Sequence, residues 1–149
     1  LRINTSVGAT RMTLTPLFLE YMRRNPQMAV EIVTENALVD VNAKGFDAGI
    51  RIREAVPPDM VLVPIGDSVR PAIVGSVEYL GQHGRPEVPA DLQNHMCIRA
   101  RMASGTLYRW EFEKRGERFT LDVPGKLTLD DSDLMLRAAR DGAGLAYLN

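Results

Sequence analysis

The sequence is poor in the residues that hold metals, cofactors and disulfides. Its 149 residues include one cysteine, Cys97, and two histidines, His83 and His95. A single thiol excludes an internal disulfide, and so few thiol and imidazole groups argue against a structural zinc site. We therefore expect the chain to hold no metal and no other cofactor.

An excess of one charge and long apolar runs are also missing. Lys and Arg total 18 against 19 Asp and Glu, which gives a formal net charge of −1. The chain therefore lacks the basic surface of a nucleic-acid-binding module. No apolar run approaches the roughly 20 residues of a membrane-spanning helix, so we expect no membrane partner. A hydrophobic content of 45% is instead typical of a globular protein with a sizeable core.

The first part of the sequence alternates strand and helix patterns. Leu1–Thr5 and Met28–Thr34 alternate apolar with polar residues, which predicts two strands. Ser6–Thr10 is small and polar, and we expect it to form a flexible connection. A helix then begins between Arg11 and Thr15 and ends near Arg24. Its apolar residues share one predicted face: Leu14, Leu17, Phe18, Tyr21 and Met22.

A second helix and a third strand follow. Leu38–Lys44 predicts a short helix that Gly45 ends, and Phe46–Arg53 then alternates with a period of two. We expect this third strand to pair with the strand before that helix, in a parallel α/β arrangement. Met60–Ile65 is a further strand candidate, and Ser68–Pro71 is the predicted crossing into a second lobe.

The rest of the sequence predicts a mixed α/β lobe with a hairpin. The predicted strands are Val69–Gly75, Met96–Arg101, Lys126–Leu129 and Leu145–Leu148. Leu107–Lys114 and Arg118–Val123 predict the hairpin. Val77–Gln82 and Ser132–Arg140 predict helices, with a helical turn at Ala90–Gln93 and with Asp130 and Asp131 as N-cap candidates. The fold class is therefore α/β, with a first lobe at residues 1–68 and a second at 69–149.

An ordered series of short motifs resembles the effector-binding domain of LysR-type transcriptional regulators. The series comprises Lys44-Gly45-Phe46-Asp47-Ala48-Gly49-Ile50-Arg51, Pro71-Ala72-Ile73-Val74, Pro89-Ala90-Asp91-Leu92, His95-Met96-Cys97-Ile98, Leu107-Tyr108-Arg109-Trp110 and Asp131-Ser132-Asp133. The resemblance implies a fold like that of type 2 periplasmic binding proteins, with two α/β lobes and a small molecule in a cleft between them. It also implies a cytoplasmic bacterial regulator that works as a homodimer or homotetramer.

The resemblance further implies that the parent protein is longer than these residues. The first residue is Leu rather than Met, and Asn149 stands where such domains commonly have Pro. We expect an N-terminal winged helix-turn-helix, absent from this chain, to make the DNA contacts. We also expect a terminal segment outside these residues to recross into the first lobe, which leaves the second lobe incomplete at its carboxyl end.

Polar side chains at strand ends and helix starts form the predicted effector site, because ligands of open α/β folds bind there. They are Thr5, Ser6 and Thr10, then Thr34, Glu35 and Asn36, then Arg99, Arg101 and Ser104, and finally Ser132. The expected effector is a small anion that carries a carboxylate. Arg101 would supply the counter-charge. A solvated strand edge remains an equal alternative for the arginines.

Two other functions remain open from the sequence. A stand-alone solute-binding protein could share this fold, and the residues upstream of Leu1 would separate it from a regulator. A small enzyme is the weaker alternative, because no nucleophile–base pair and no set of metal ligands is visible. Cys97 lies between Met96 and Ile98, which favours a buried apolar role over a nucleophilic one. We therefore expect no catalytic residue.

Overall fold

The chain divides into two units, Leu1–Gly66 and Asp67–Asn149, each with its own β-sheet. The computed structural model describes residues 1–35, 37, 39–51, 56–65 and 70–148, without the side chains of Met12 and Thr13. Parts of several predictions lie outside the described residues: Asn36, Leu38, Ile52, Arg53, Ser68, Val69 and Asn149. No helix in the described ranges is long and apolar enough to cross a membrane.

Three parallel strands form the sheet of the first unit. They are β1 (Arg2–Thr5), β2 (Glu31–Thr34) and β3 (Ala48–Gly49), in the order β2-β1-β3. The predicted parallel α/β start is confirmed. The predicted neighbour of the third strand is wrong, because β3 pairs with β1 instead of β2. Consecutive strands are usually but not always neighbours. Here the first strand, buried from Ile3 to Thr5, takes the central place.

The helical segment after β1 starts earlier than expected. It consists of α1 (Val7–Ala9), a π-helical stretch (Thr10–Leu14) and α2 (Thr15–Arg24). The prediction of a flexible Ser6–Thr10 connection is wrong, because the Ser6 side chain accepts a hydrogen bond from Ala9 N and caps a helix. Leu14 and Phe18 pack with Ile3 in the core. The other apolar residues of the predicted face are exposed: Leu17, Tyr21 and Met22.

Two further predictions for the first unit are wrong over their described parts. Residues 41–45 form hydrogen-bonded turns instead of the predicted helix, and the Asp40 carboxylate caps Ala43 N at 3.0 Å. The turns end at Gly45 with φ of 68°, the positive value that the glycine predicts. Met60–Ile65 contains no strand, and Val61 and Val63 are 90% and 71% exposed. An apolar run thus lacks a partner strand among the described residues of this unit.

The second unit contains a four-stranded sheet and a hairpin. The sheet has the order β4-β9-β5-β8, from β4 (Ala72–Val74), β5 (Cys97–Ala100), β8 (Thr128–Leu129) and β9 (Leu145–Leu148). β9 runs antiparallel to β4 and parallel to β5, which is also parallel to β8. The predicted hairpin is confirmed as β6 (Trp110–Lys114) and β7 (Glu117–Leu121).

Helices cover this sheet and complete the second core. They are α3 (Val77–His83), a 3-10 helix (Pro89–Asn94) and α4 (Ser132–Arg140). The predicted bounds of α4 are confirmed, and the other two helices are slightly longer than predicted. Asp131 caps α4 by accepting a hydrogen bond from Leu134 N at 3.0 Å, so it is the N-cap among the two predicted aspartates. One buried cluster is centred on Trp110, Leu92 and Leu145, and a second joins Ile98 to Met135.

Candidate functional site

The carboxyl ends of β1 and β2 bring several predicted site residues to one edge of the first sheet. Thr5 and Thr34 are register partners in the parallel ladder. The Thr5 carbonyl accepts a hydrogen bond from Glu35 N at 2.9 Å, and the chain then turns at Ser6 into α1. Parallel strands place their carboxyl ends together, so the edge follows from the topology.

The Thr5 hydroxyl at this edge is buried and lacks a hydrogen-bond partner among the described residues. The residue is fully buried. Its Oγ1 makes no hydrogen bond within the part of the chain that the structure describes. A buried hydroxyl without a partner costs about 1–3 kcal/mol. A ligand that accepts or donates a hydrogen bond at this atom would recover that cost.

Ser6, Thr10 and Thr34 surround this position with further hydroxyl groups. The Ser6 Oγ accepts from Ala9 N at 3.2 Å, which leaves its own proton available to donate. The Thr10 Oγ1 donates to Ser6 O at 3.0 Å, so that proton stabilises the helix start. Thr34 is exposed. Ser6 and Thr34 are therefore the more accessible donors of the group.

A buried amide network that the sequence did not indicate lies beside Thr5. Asn4 is fully buried, and its Nδ2 donates at 3.3 Å to both Val33 O and Glu35 Oε2. The Asn4 Oδ1 accepts from Arg51 Nη2. Burial lowers the pKa of Arg51, while the Glu35 carboxylate acts in the opposite direction. In the sequence, the only feature that could have indicated this network is Asn4, a polar residue within an otherwise buried strand.

The remaining predicted site residues lie in the second unit and differ in their burial and hydrogen bonding. Arg99 lies on β5, and its buried Nε has no hydrogen-bond partner among the described residues. Arg101 is exposed, and its Nη1 donates to Gly105 O at 2.7 Å. The Ser104 Oγ is 2.8 Å from Thr106 Oγ1 within the same exposed loop. The Arg101 guanidinium thus stabilises its own loop. The Arg99 Nε is instead a buried hydrogen-bond donor without a partner among the described residues.

Ser132 occupies the first position of α4, as the sequence predicts, and is exposed. The helix cap is supplied by Asp131 rather than by Ser132. The Ser132 hydroxyl is therefore not used as the N-cap acceptor.

The cysteine and one of the two histidines lie in the core of the second unit. Cys97 is buried, and burial raises the pKa of its thiol to about 11. The predicted apolar role of Cys97 is confirmed by this burial. The His95 Nδ1 lies 3.3 Å from the Tyr79 hydroxyl, a contact inside the core. No group of three potential metal ligands forms within the described ranges.

Comparison with known proteins identifies the family to which the chain belongs. The model of the LysR substrate binding domain matches residues 1–149, so the chain belongs to that family of effector-binding domains. It is 39% identical over 148 residues to the uncharacterized HTH-type transcriptional regulator YcaN of Escherichia coli K12, covering 99% of this chain and 48% of YcaN. It is 33% identical over 149 residues to the HTH-type transcriptional regulator PgrR of the same strain, with coverage of 99% and 50%. The chain thus spans about half the length of these relatives.

Solved structures give the same fold. The regulatory domain of AphB from Vibrio vulnificus superimposes with a TM-score of 0.80 at 20% identity, over 99% of this chain and 73% of that one. CrgA, a LysR-type regulator from Neisseria meningitidis, gives 0.78 at 21% identity, over 99% and 49%. The predicted type 2 periplasmic-binding-protein-like α/β fold is therefore confirmed.

Proposed function

We propose that the chain is the effector-sensing part of a cytoplasmic LysR-type regulator whose DNA contacts are made by a different segment. The full-length match to the LysR substrate binding domain carries this proposal. The relatives YcaN and PgrR are named as HTH-type transcriptional regulators, which favours this proposal over a stand-alone solute-binding protein. The buried thiol and the absence of metal-ligand groups among the described residues support a non-enzymatic role.

In the first unit, the effector site would be built on the unpaired Thr5 hydroxyl. Ser6, Thr10 and Thr34 would add hydroxyl contacts at the same sheet edge. In the second unit, Arg99, Arg101, Ser104 and Ser132 remain the proposed contacts. The unpaired Arg99 Nε favours a ligand with negative charge, such as a carboxylate.

The test exploits the unmet hydrogen bond of Thr5. Thr5→Val nearly keeps the shape and replaces the unpaired hydroxyl with a methyl group, so the melting temperature of the free chain should stay equal or rise. Acetate, succinate and benzoate, each beside its neutral amide, serve as probes in thermal-shift and calorimetric titrations. At least one carboxylate should bind the unmodified chain. Thr5→Val should weaken that binding about tenfold, equivalent to about 1.4 kcal/mol.

Thr120→Val, on the exposed strand β7, is the matched control and should bind the probes unchanged. Equal affinity of Thr5→Val and the unmodified chain would place the site elsewhere. Binding of the amides but of no carboxylate would overturn the anionic effector.

These residues alone should not bind DNA with sequence specificity. Their formal net charge is −1, and phosphate neutralisation by Lys and Arg supplies most of the affinity for DNA. A gel-shift titration with the operator of the parent protein at physiological salt should show no sequence-selective complex. A tight complex between this chain and the operator that survives competitor DNA would refute the proposal that a different segment makes the DNA contacts.

A further inference from the structure

The second unit contains an open cavity of about 250 Å³ that none of the predicted effector contacts lines. Its walls come from β4, from the segment that leads into the 3-10 helix, and from β6. One lining residue, Glu87, is charged, and the others described there are apolar: Ile73, Pro86, Val88, Pro89, Leu92 and Phe112. The cavity thus offers an apolar surface beside a single carboxylate.

The apolar surface of the cavity is held in place by the core of this unit. Leu92 is fully buried and belongs to the cluster that surrounds Trp110, and Ile73 and Phe112 pack against that cluster. The Phe112 ring also stacks on Phe119, with 5.5 Å between the ring centroids. A ring that enters the cavity therefore meets apolar side chains that are already ordered, and it gains by leaving water.

The segment from Pro86 to Pro89 is also fixed without a ligand. Each proline restricts its own φ. The Asp91 Oδ2 accepts hydrogen bonds from Glu87 N at 2.9 Å and from Val88 N at 3.0 Å, which ties this segment to the 3-10 helix. A site that is formed in advance costs less ordering free energy when a ligand binds.

The same hydrogen bonds distinguish the two carboxylates of this region. Asp91 accepts from Val88 N and Glu87 N, and both bonds lower its pKa, so its charge is used within the fold. The Glu87 side chain is exposed, and its carboxylate has no hydrogen-bond or ion-pair partner within the described part of the chain. A cation at this end of the cavity would form a charge-assisted hydrogen bond with Glu87.

We propose that this cavity binds a small arylalkylamine, a molecule that joins one apolar ring to a primary amine. The ring packs on Leu92 and Phe112, and the ammonium group donates to the Glu87 carboxylate. A volume of about 250 Å³ is below the roughly 300–1,000 Å³ of most ligand pockets, which limits the ligand to one ring with a short chain. The site is separate from the effector site that includes Thr5.

The test compares benzylamine with two probes of the same ring, neutral benzyl alcohol and anionic benzoate. In NMR titrations of the unmodified chain, benzylamine should shift the amide signals of Val88, Leu92 and Phe112 and give intermolecular NOEs to the Phe112 ring. It should also change the fluorescence of Trp110, the only tryptophan, which packs with Leu92. Benzylamine should bind at least about fivefold more tightly than benzyl alcohol, and benzoate should not shift these signals. Equal binding of the three probes, or benzylamine shifts confined to other residues, would overturn the proposal.

Glu87→Gln should weaken benzylamine binding at least about fivefold and leave benzyl alcohol binding unchanged. Glu117→Gln, which removes an exposed carboxylate on β7, is the matched control and should change neither. Val88→Lys places an ammonium group beside Glu87 at a position that is 51% exposed, and it should abolish benzylamine binding without unfolding the chain.

Unchanged benzylamine affinity in Glu87→Gln would show that the carboxylate takes no part, and the proposal would fail. It would also fail if no amine bound and Val88→Lys weakened self-association in sedimentation equilibrium, because a second copy would then cover the cavity. The signals come from residues of the second unit, so this test and the Thr5→Val binding test can fail independently.

Discussion

At the scale of single residues, burial decides what Cys97 can do. Its side chain packs in the core with Leu92 and Trp110, and its Sγ lies 3.8 Å from Leu92 O and from His95 O. The thiolate is the reactive form of cysteine, and an apolar surrounding disfavours it. The thiol is therefore a packing element in the folded chain.

This environment predicts an alkaline loss of stability. Burial raises the pKa of Cys97 from its ordinary 9.0 to about 11, so the unfolded chain releases this proton first as the pH rises. The stabilising contribution is complete below about pH 9 and is lost as the pH approaches about 11. Cys97→Ala should show a smaller fall in melting temperature across that window.

The pKa values of Tyr79, Tyr108 and Tyr147 are also raised, chiefly by burial, so the variant retains their part of the effect. Identical pH profiles for Cys97→Ala and the unmodified chain would contradict the prediction. So would thiol labelling of the native chain as fast as that of the chain in denaturant.

The sequence could predict the position of Thr5, Ser6 and Thr34 but not the network beside them. Their positions follow from alternation along a strand and from the rule that parallel strands end together. The Asn4–Arg51 contact depends on which strand lies beside β1. The expectation that β3 pairs with β2 was wrong, so this contact could not be derived from local pattern.

At the scale of elements, those with strong local signals were the most predictable. α4 and β9 have their predicted bounds, because Asp131 opens the helix, Gly142 has a φ of 83° beyond it and apolar residues fill the strand. The predicted helix at 38–44 had no comparable packing face. Its described residues form turns instead, held by Asp40 and by Phe46 N donating to Val41 O.

The backbone at Gly125 lies so close to β5 that we expect any larger residue there to destabilise the fold. A Cβ there would lie 1.8 Å from Cys97 O, a main-chain atom of β5 that cannot move aside cheaply. Gly125→Ala should lower the free energy of unfolding by at least about 2 kcal/mol, or prevent folding. Chemical denaturation monitored by circular dichroism measures this.

Gly81 is the control for the same substitution within α3. Apart from its chain neighbours and its own helix backbone, no atom of the described residues lies within 4 Å of a Cβ built there. Alanine also favours a helix over glycine by about 0.5–1 kcal/mol. Gly81→Ala should therefore be neutral or stabilising. A Gly125→Ala chain as stable as Gly81→Ala would show that β5 and the segment at Gly125 separate more easily than their packing indicates.

At the scale of the whole molecule, apolar side chains remain exposed on α2 of the first unit. Leu17 and Leu19 are 49% and 63% exposed, and Tyr21 and Met22 lie on the same helix. Exposed apolar side chains grouped on one helix are typical of association surfaces. We propose that α2 packs against the Pro71–Leu80 segment of a second copy, as the resemblance to LysR-type regulators implies. Val77 in that segment is 89% exposed.

We therefore expect the chain to associate with a second copy through α2. Leu19→Glu places a charge on the exposed face of α2, where desolvation in an interface costs more than one apolar contact returns. The dissociation constant from sedimentation equilibrium should rise at least about tenfold, equivalent to about 1.4 kcal/mol. Val61→Glu, which is 90% exposed in the first unit but lies off α2, should leave it unchanged. A strictly monomeric unmodified chain at high concentration, or equal effects of the two substitutions, would mean that α2 is not the contact and that its apolar side chains face solvent.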